Sequence, residues 1–267
     1  MGRFDGKVVL VTGGNRNTGL WIVKRFVDEG ARVFMCGSSE ASTARGAETL
    51  ESMGVKGVVS QACDVGDKVQ VAALMDRIER DAGTLDILVN NAADQGLNLG
   101  GPLEMDPDSI LKVMGTNVRG GFQVTQAACR RFFMKRPYSA GGAYRGTVVF
   151  HSSNTAQRAI RNRTAYCASK GAINSMVRSL ALDLSPLGIR VNACAPGYIY
   201  TERWDQLPDE IKARRRRNCP LRKEATGRDI ANVVAFLASE DSANMTGEII
   251  TCDAGCSCQH MPEDTDF

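Results

Sequence analysis

Short apolar stretches alternate along the chain with longer stretches in which apolar residues recur every three or four positions. Residues 8–11 (VVLV) and 87–89 (ILV) are apolar at consecutive positions, which is typical of parallel strands buried on both faces. Stretches of this kind predict strands over residues 7–13, 31–37, 57–64, 85–91, 146–153, 189–197 and 247–253. Helical spacing predicts helices over 18–29, 40–53, 67–82, 106–135, 164–185 and 227–238.

This alternation of strands and helices predicts the fold class. It favours an α/β protein with a seven-stranded, mostly parallel sheet and helices on both faces. Because crossovers between parallel strands are right-handed, we expect a single doubly wound Rossmann-type domain over residues 1–267. Residues 198–220 break the rhythm after a strand, where such a sheet places a substrate lid. Residues 256–267 are expected to form a short C-terminal tail.

Composition narrows the class of protein further. The chain has 267 residues, of which 43% are hydrophobic and 24% charged, as in globular domains. A net charge of +3 gives no indication of nucleic-acid or membrane-surface binding, and no apolar run approaches the ~20 residues of a membrane span. The nine cysteines, in a chain that opens without a secretory pattern, predict a cytoplasmic protein with free, mostly buried thiols.

A glycine-rich turn follows the first predicted strand. The stretch TGGNRNTGL (12–20) stands where a strand passes into a helix, the context in which backbone N–H groups hold a dinucleotide diphosphate. We expect Asn17 at positive φ, because asparagine visits the left-handed region at modest cost. The predicted contacts of this turn with the cofactor are Gly13, Asn15, Arg16, Asn17, Thr18 and Gly19.

The end of the second predicted strand bears on the choice of cofactor. NAD-binding chains usually carry a carboxylate there for the ribose 2′-hydroxyl, whereas this chain has Ser38 and Ser39 and no carboxylate before Glu40. Arg16 can supply a charge-assisted contact to a 2′-phosphate. NADP(H) is therefore favoured, and NAD(H) stays open.

Tyr166 and Lys170 are four residues apart on a predicted helix, so both side chains lie on one face. A phenol is a poor base at neutral pH, but a nearby ammonium favours its ionised form. The pair can then transfer a proton at a carbonyl or alcohol. Ser153, at the end of the fifth strand, can polarise the same oxygen, and Asn117 is a polar residue within a helical stretch.

The motifs TGGNRNTGL, NNAA (90–93), GTNV (115–118), YCASK (166–170) and RVNACAPG (190–197) occur in an order and spacing that resembles the short-chain dehydrogenase/reductase family. The resemblance covers nearly the whole chain. It departs from the family at Asn17 and Thr18, where Gly and Ile are usual, which affects the local geometry of the cofactor loop.

The resemblance implies hydride transfer between a nicotinamide and a secondary alcohol or ketone. It makes Tyr166 the acid/base, Lys170 the residue that holds the nicotinamide ribose and lowers the tyrosine pKa, Ser153 the residue that orients the substrate, and Asn117 the residue that fixes a helix kink and a water. It also implies a homo-oligomer, a dimer or a tetramer. Further cofactor contacts are implied at Asp64, Val65, Asn90, Pro196, Gly197, Ile199 and Thr201.

Other functions and sites remain as alternatives. A nucleotide-binding regulator or redox sensor would need only the dinucleotide cradle, and an epimerase or dehydratase of the same fold would usually need a larger C-terminal domain. Cys252, Cys256, Cys258 and His260 lack the usual spacing of a zinc site, so we predict no metal.

The substrate is less defined than the cofactor. The arginines of ARRRR (213–217) are expected on a solvated lid helix, with contact to an anionic substrate or to the 2′-phosphate left open. The pocket residues near 94–101, 154–161 and 198–220 suit a bulky, partly apolar molecule such as a hydroxysteroid, an aromatic ketone or an acyl group.

Overall fold

One parallel sheet organises the computed structural model, which describes residues 2–259. Every pairing between neighbouring strands in the sheet is parallel, and the spatial order is β3-β2-β1-β4-β5-β6-β7. This arrangement confirms the doubly wound fold. The strands are β1 Val8–Thr12, β2 Arg32–Gly37, β3 Val59–Ala62, β4 Ile87–Asn90, β5 Gly146–His151, β6 Ile189–Pro196 and β7 Ile249–Cys252.

Helices connect the strands on both faces of this sheet. Shorter 3-10 turns follow α5, β5, α6 and α9. The α-helices are α1 Thr18–Asp28, α2 Glu40–Ser52, α3 Lys68–Ala82, α4 Asp108–Met114, α5 Gly121–Arg131, α6 Thr164–Leu184, α7 Glu202–Asp205, α8 Asp209–Arg217 and α9 Gly227–Ala238.

The core consists of two apolar layers, one on each side of the sheet. Alternate residues of β1 divide between them: Val8 and Leu10 pack with α3, α5 and α6, whereas Val9 and Val11 pack with α1 and α9. This division follows from the period of two along a strand. Because both faces are covered, β1 is buried at all five positions, as its unbroken apolar sequence predicts.

The strand order reverses around β1, which lies between β2 and β4. The loops at the carboxyl ends of β1 and β4 therefore diverge and leave a crevice, where sheets of this kind bind ligands. A cleft of about 980 Å³ opens there. The sheet thus brings the glycine-rich turn, the end of β5 and the start of α6 to one cavity.

The structure differs from the sequence-based expectation at the predicted helix 106–135. A π-helical turn, Gly115–Gly120, separates α4 from α5. Inside this turn, Asn117 accepts a bond from the Asp94 N–H at 2.7 Å and donates to the Asp94 carbonyl at 2.9 Å. These contacts with a distant loop hold the wider turn, which no local helical pattern encodes.

The predicted lid region contains two short helices, α7 and α8, between β6 and α9. β3, β4 and β7 are shorter than expected, at four residues each. Within residues 2–259, no helix is both long and apolar enough to cross a bilayer. All nine cysteines of the chain lie in this range as free thiols, as predicted.

Candidate active site

The glycine-rich turn after β1 forms one end of the cleft. Gly13 has φ +61°, and a Cβ there would lie 2.8 Å from the Cα of Ala92, so only glycine fits. α1 begins at Thr18, and its preceding residue, Asn17, makes no side-chain cap. The first N–H groups of α1 therefore lack a side-chain partner at a point where Asn17, Thr18 and Gly19 line the cleft.

Asn17 has φ +47° and ψ −127°, which confirms the predicted positive φ. The Gly19 N–H donates to the Arg16 carbonyl at 3.0 Å, so Asn17 is the second residue of a tight turn of the II′ kind. Glycine is preferred at this position of such a turn. Asparagine is accommodated there with backbone strain.

The ends of β2 and β3 line the neighbouring part of the cleft. Ser38 and Ser39 are exposed to it, and the Ser39 hydroxyl caps α2 by accepting the Ser42 N–H at 3.3 Å. Asp64 and Val65 also line this part, and Asp64 Oδ1 accepts the Gly66 N–H at 2.9 Å.

Arg16 and Asn15, although adjacent in sequence, differ in exposure. Arg16 is exposed at the cleft, whereas Asn15 is buried against its wall and donates to the Ser42 carbonyl at 3.1 Å. Asn15 therefore connects the glycine-rich turn to α2.

Two residues that were predicted to contact the cofactor, Asn90 and Pro196, do not line the cleft. Asn90 is buried and donates from its side chain to Thr125 Oγ1 at 2.9 Å, while the lining residue is the next one, Asn91. Pro196 is buried at the end of β6, whereas Gly197, Ile199 and Thr201 after it line the cleft. Successive side chains alternate sides at a strand end, so a motif alone does not decide which one reaches the cavity.

Ser153, Tyr166 and Lys170 all line the same cleft. Ser153 Oγ accepts the Thr155 N–H at 3.2 Å and the Thr155 hydroxyl at 2.9 Å. The Ser153 side chain also acts on the Tyr166 hydroxyl, where it lowers the pKa of the phenol. The serine and tyrosine are thus oriented toward the same point in the cleft.

Lys170 lies one helical turn after Tyr166, and its Nζ is 5.5 Å from the centre of the tyrosine ring. Its Nζ donates to the main-chain carbonyl of His151 at 2.7 Å. Burial lowers the pKa of Lys170 to about 7.

Burial raises the pKa of Tyr166, while the Ser153 hydrogen bond and the positive charge of Arg163 act in the opposite direction. The charge that lowers the pKa of Tyr166 in this structure is thus that of Arg163. The effect expected of Lys170 on this pKa stays a prediction.

Asn117 contacts α6, the helix that carries Tyr166 and Lys170. Its side-chain amide donates to Ser169 Oγ at 2.9 Å, between Tyr166 and Lys170 on α6. It faces a separate small cavity of about 10 Å³ that Asn90 and His151 also line. The implied position at a helix irregularity agrees with the π-helical turn, and a role in proton transfer stays a prediction.

Known proteins resemble this chain along nearly its full length. A family model described as enoyl-(acyl carrier protein) reductase matches residues 14–257. The chain belongs to the short-chain dehydrogenase/reductase family.

Individual members of the short-chain dehydrogenase/reductase family show the same extent of similarity. The 3-oxoacyl-[acyl-carrier-protein] reductase MabA of Mycobacterium bovis is 34% identical over 96% of this chain and 95% of its own. A 3alpha-hydroxysteroid dehydrogenase of Mediterraneibacter gnavus is 33% identical over 92% and 95%. A solved structure described as "Crystal structure of gox2181" is 30% identical, with a TM-score of 0.85 over 96% of this chain and 97% of that one.

Membership of the short-chain dehydrogenase/reductase family makes this chain an oxidoreductase with a nicotinamide cofactor. The residues present fit that cofactor: the Thr18 N–H at the uncapped start of α1 has no partner within residues 2–259 and is available to a diphosphate, and the glycines at Gly13 and Gly19 keep the backbone open to it. Gly13, Arg16, Asn17, Thr18 and Gly19 would hold the diphosphate end, and Tyr166 and Lys170 the nicotinamide end.

Three residues at the site of this family member escaped the sequence analysis: Asn91, His151 and Arg163. Asn91 Nδ2 donates to the Gly13 carbonyl at 2.8 Å and so fixes the glycine-rich turn. Arg163 lies one helical turn before Tyr166, with its guanidinium 5.7 Å above that ring. Its spacing of three residues from Tyr166 is the signal that could have identified it. His260, weighed as a metal ligand, lies outside the described residues.

Proposed function

We propose that this protein is an NADP(H)-dependent oxidoreductase that interconverts a ketone and a secondary alcohol. The observation that carries the proposal is the convergence of Ser153, Tyr166 and Lys170 on the cleft that the glycine-rich turn also lines. A protein that only bound the nucleotide would need the turn without a proton donor aligned beside it.

In carbonyl reduction, Ser153 and Tyr166 bind the substrate oxygen and Tyr166 gives it a proton. The nicotinamide, when bound, supplies or accepts the hydride. Lys170, whose Nζ donates to the His151 carbonyl at 2.7 Å, positions the nicotinamide ribose. Its ammonium also stabilises the phenolate that Tyr166 becomes when it gives up its proton. Fixed placement of these groups accounts for much of the rate, because little orientational freedom is left to lose.

The preference for NADP(H) is supported by the end of β2. The residues that line the cleft there are Gly37, Ser38, Ser39 and Ser42, without a carboxylate. Arg16 is exposed and lines the same cleft. Beside these serines, a 2′-phosphate would meet hydroxyl donors and a guanidinium.

The far end of the cleft supports a bulky substrate. Leu97, Ile160, Tyr198 and Trp204 line it, and two relatives bear names that refer to 3-oxoacyl and 3α-hydroxysteroid substrates. We propose an acyl ketone or a hydroxysteroid-like alcohol as the class of substrate.

We also propose a homo-oligomer, a dimer or a tetramer, in the cytoplasm. Leu111 on α4, Phe122 on α5 and Leu182 on α6 are exposed, with Leu111 at 69% and Leu182 at 78%. A subunit contact over these helices would remove this apolar surface from water.

The proposal is tested by mixing the purified protein with NADPH or NADH and a panel of ketones and following the loss of reduced nicotinamide. We expect turnover of at least one ketone with NADPH. Tyr166→Phe should lower kcat by at least about a hundredfold while NADPH binding remains measurable. Near-normal turnover by this variant would exclude Tyr166 as the proton donor, and NADPH binding without turnover of any ketone would favour the regulator.

A further inference from the structure

Four arginines surround the substrate end of the cleft: Arg158, Arg163, Arg203 and Arg215. They come from separate parts of the chain, namely the loop after β5, the residue before α6, α7 and α8. The tertiary fold therefore assembles a strongly positive surface around the place where a ketone would lie. The acidic residue that lines this end is Asp94, and its Oδ1 accepts the Gly96 N–H at 2.8 Å.

None of the four guanidinium groups forms an ion pair with a carboxylate of residues 2–259. Neutral acceptors hold two of them: Arg163 donates to the Gly96 carbonyl at 3.1 Å, and Arg203 donates to Gln95 Oε1 at 3.2 Å. A third, Arg158, donates to the carbonyls of Ser257 and Gln259. These three arginines are therefore positioned by neutral groups, and no carboxylate of residues 2–259 neutralises any of the four.

The next residue on α8 after Arg215, Arg216, also lies over Trp204, with its guanidinium 6.0 Å from the ring centre, but a carboxylate neutralises its charge. Arg216 forms a bidentate ion pair with Glu224, in which both hydrogen bonds are 2.7 Å long. Arg215 lies with its guanidinium 5.3 Å from the ring centre of Trp204 and 5.7 Å from that of Tyr198. A guanidinium stacked on aromatic rings keeps the N–H groups of its edge available for an oxyanion.

Such a concentration of like charge is unfavourable for the protein alone and attracts anions into the cleft. Guanidinium groups bind carboxylate and phosphate with paired, charge-assisted hydrogen bonds. We propose that the substrate of this cleft is an anionic ketone or alcohol, whose carboxylate or phosphate is bound by Arg215 with support from the other three arginines. This inference rests on the proposed function and deepens it.

Arg215 acts in this proposal as a specificity-determining residue. Trp204 and Tyr198 hold its guanidinium on the lid, and Arg163 stands beside Tyr166. The anionic group is thus bound at the lid while the ketone oxygen meets Tyr166. A neutral analogue of the same shape would keep the apolar contacts and lose the paired hydrogen bonds.

The test compares matched substrates with NADPH: a keto acid with its methyl ester, and a phosphorylated ketone with its free hydroxyl form. We expect kcat/KM to be at least about tenfold higher for one anionic member, chiefly through KM, with the preference falling as salt is added. Comparison of the keto acid pair with the phosphorylated pair shows whether the site prefers a carboxylate or a phosphate.

Arg215→Gln should reduce this preference about tenfold. Arg214→Gln, exposed on the same helix and outside the cleft lining, is the matched control and should keep the preference. Equal kcat/KM for acid and ester in the unmodified protein would overturn the inference. So would an Arg215→Gln variant that raises KM for NADPH as much as KM for the keto acid, because Arg215 would then serve the cofactor.

A binding measurement keeps this test independent of turnover. Trp204 touches Arg215, and in a Trp21→Phe variant it is the remaining tryptophan of the sequence. The fluorescence of the NADP⁺ complex of that variant should respond to the keto acid at lower concentration than to the ester. If no ketone of either kind is reduced but the keto acid still binds selectively, the proposed function fails and the anion site stands. Equal binding of the keto acid and its ester would contradict the proposed anion site.

Discussion

Lys170 donates its Nζ hydrogen bond to the main-chain carbonyl of His151, 2.7 Å away. The bond joins α6 to the last residue of β5, and within residues 2–259 no carboxylate forms an ion pair with the buried ammonium. Lys170 is only 2% exposed, and its pKa falls from 10.5 to about 7 because burial disfavours the charged form. The buried ammonium therefore lowers the stability of the fold, at the residue that we propose holds the nicotinamide ribose.

Lys170→Met should stabilise the fold while it lowers turnover. The folded-state pKa lies below the unfolded value, so the unfavourable contribution is fully present below pH 7 and declines as pH rises from 7 to 10.5. At pH 7 we expect the variant to be more stable by on the order of 2 kcal/mol, after loss of the bond to His151. Urea unfolding of both proteins across this pH range measures the effect.

The difference in stability between the two proteins should shrink toward the alkaline end of that range. Lys56→Met, at an exposed lysine, is the control and should follow the unmodified protein. A difference that stays constant with pH would contradict the assignment of the cost to the buried ammonium.

Arg163→Gln should change the pH dependence of alcohol oxidation. Tyr166 must accept a proton in this direction, so kcat/KM rises with pH as the phenol ionises. The positive charge of Arg163 lowers the pKa of Tyr166, and its removal should move the rising limb of the profile to higher pH. Arg161→Gln, at an exposed position of the same loop, should leave the limb in place. An unmoved limb in Arg163→Gln would show that this charge does not act on Tyr166.

Ser38→Asp should shift the cofactor preference toward NADH. A carboxylate at the end of β2 would repel a 2′-phosphate and accept a hydrogen bond from a 2′-hydroxyl. We expect the ratio of kcat/KM for NADPH over NADH to fall by at least about tenfold. Ser52→Asp places the same charge at the other end of α2, outside the cleft lining, and should leave the ratio unchanged. A preference that survives in Ser38→Asp would mean that β2 does not select the cofactor.

Asn17→Gly should make the protein more stable than Asn17→Ala by about 1 kcal/mol or more. The φ of +47° and ψ of −127° lie in a region that only glycine adopts freely. Thermal unfolding of the two variants measures the difference. At Ala213, within α8 and exposed, the order should reverse, since glycine in a helix costs about 1 kcal/mol. If alanine were equal to glycine at position 17, the turn would not be strained.

The sequence by itself determined the features that depend on short spacings. The unbroken apolar runs at residues 8–11 and 87–89 predicted a parallel sheet covered on both faces, because burial on two sides leaves no polar position. Tyr166 and Lys170 could be paired because four residues make about one helical turn. The positive φ of Asn17 followed from the residue type in a turn that usually carries glycine.

Only the tertiary structure decided which side chains meet across the cleft. Asn91 lines it and Asn90 does not, since successive residues at a strand end face opposite ways. The π-helical turn at Asn117 depends on Asp94, 23 residues away. The surface around Arg215 forms because the segments after β5 and β6 converge on one cleft. Contacts between segments far apart in the chain leave no periodic trace in the sequence, and here those contacts determine how charge is distributed around the substrate.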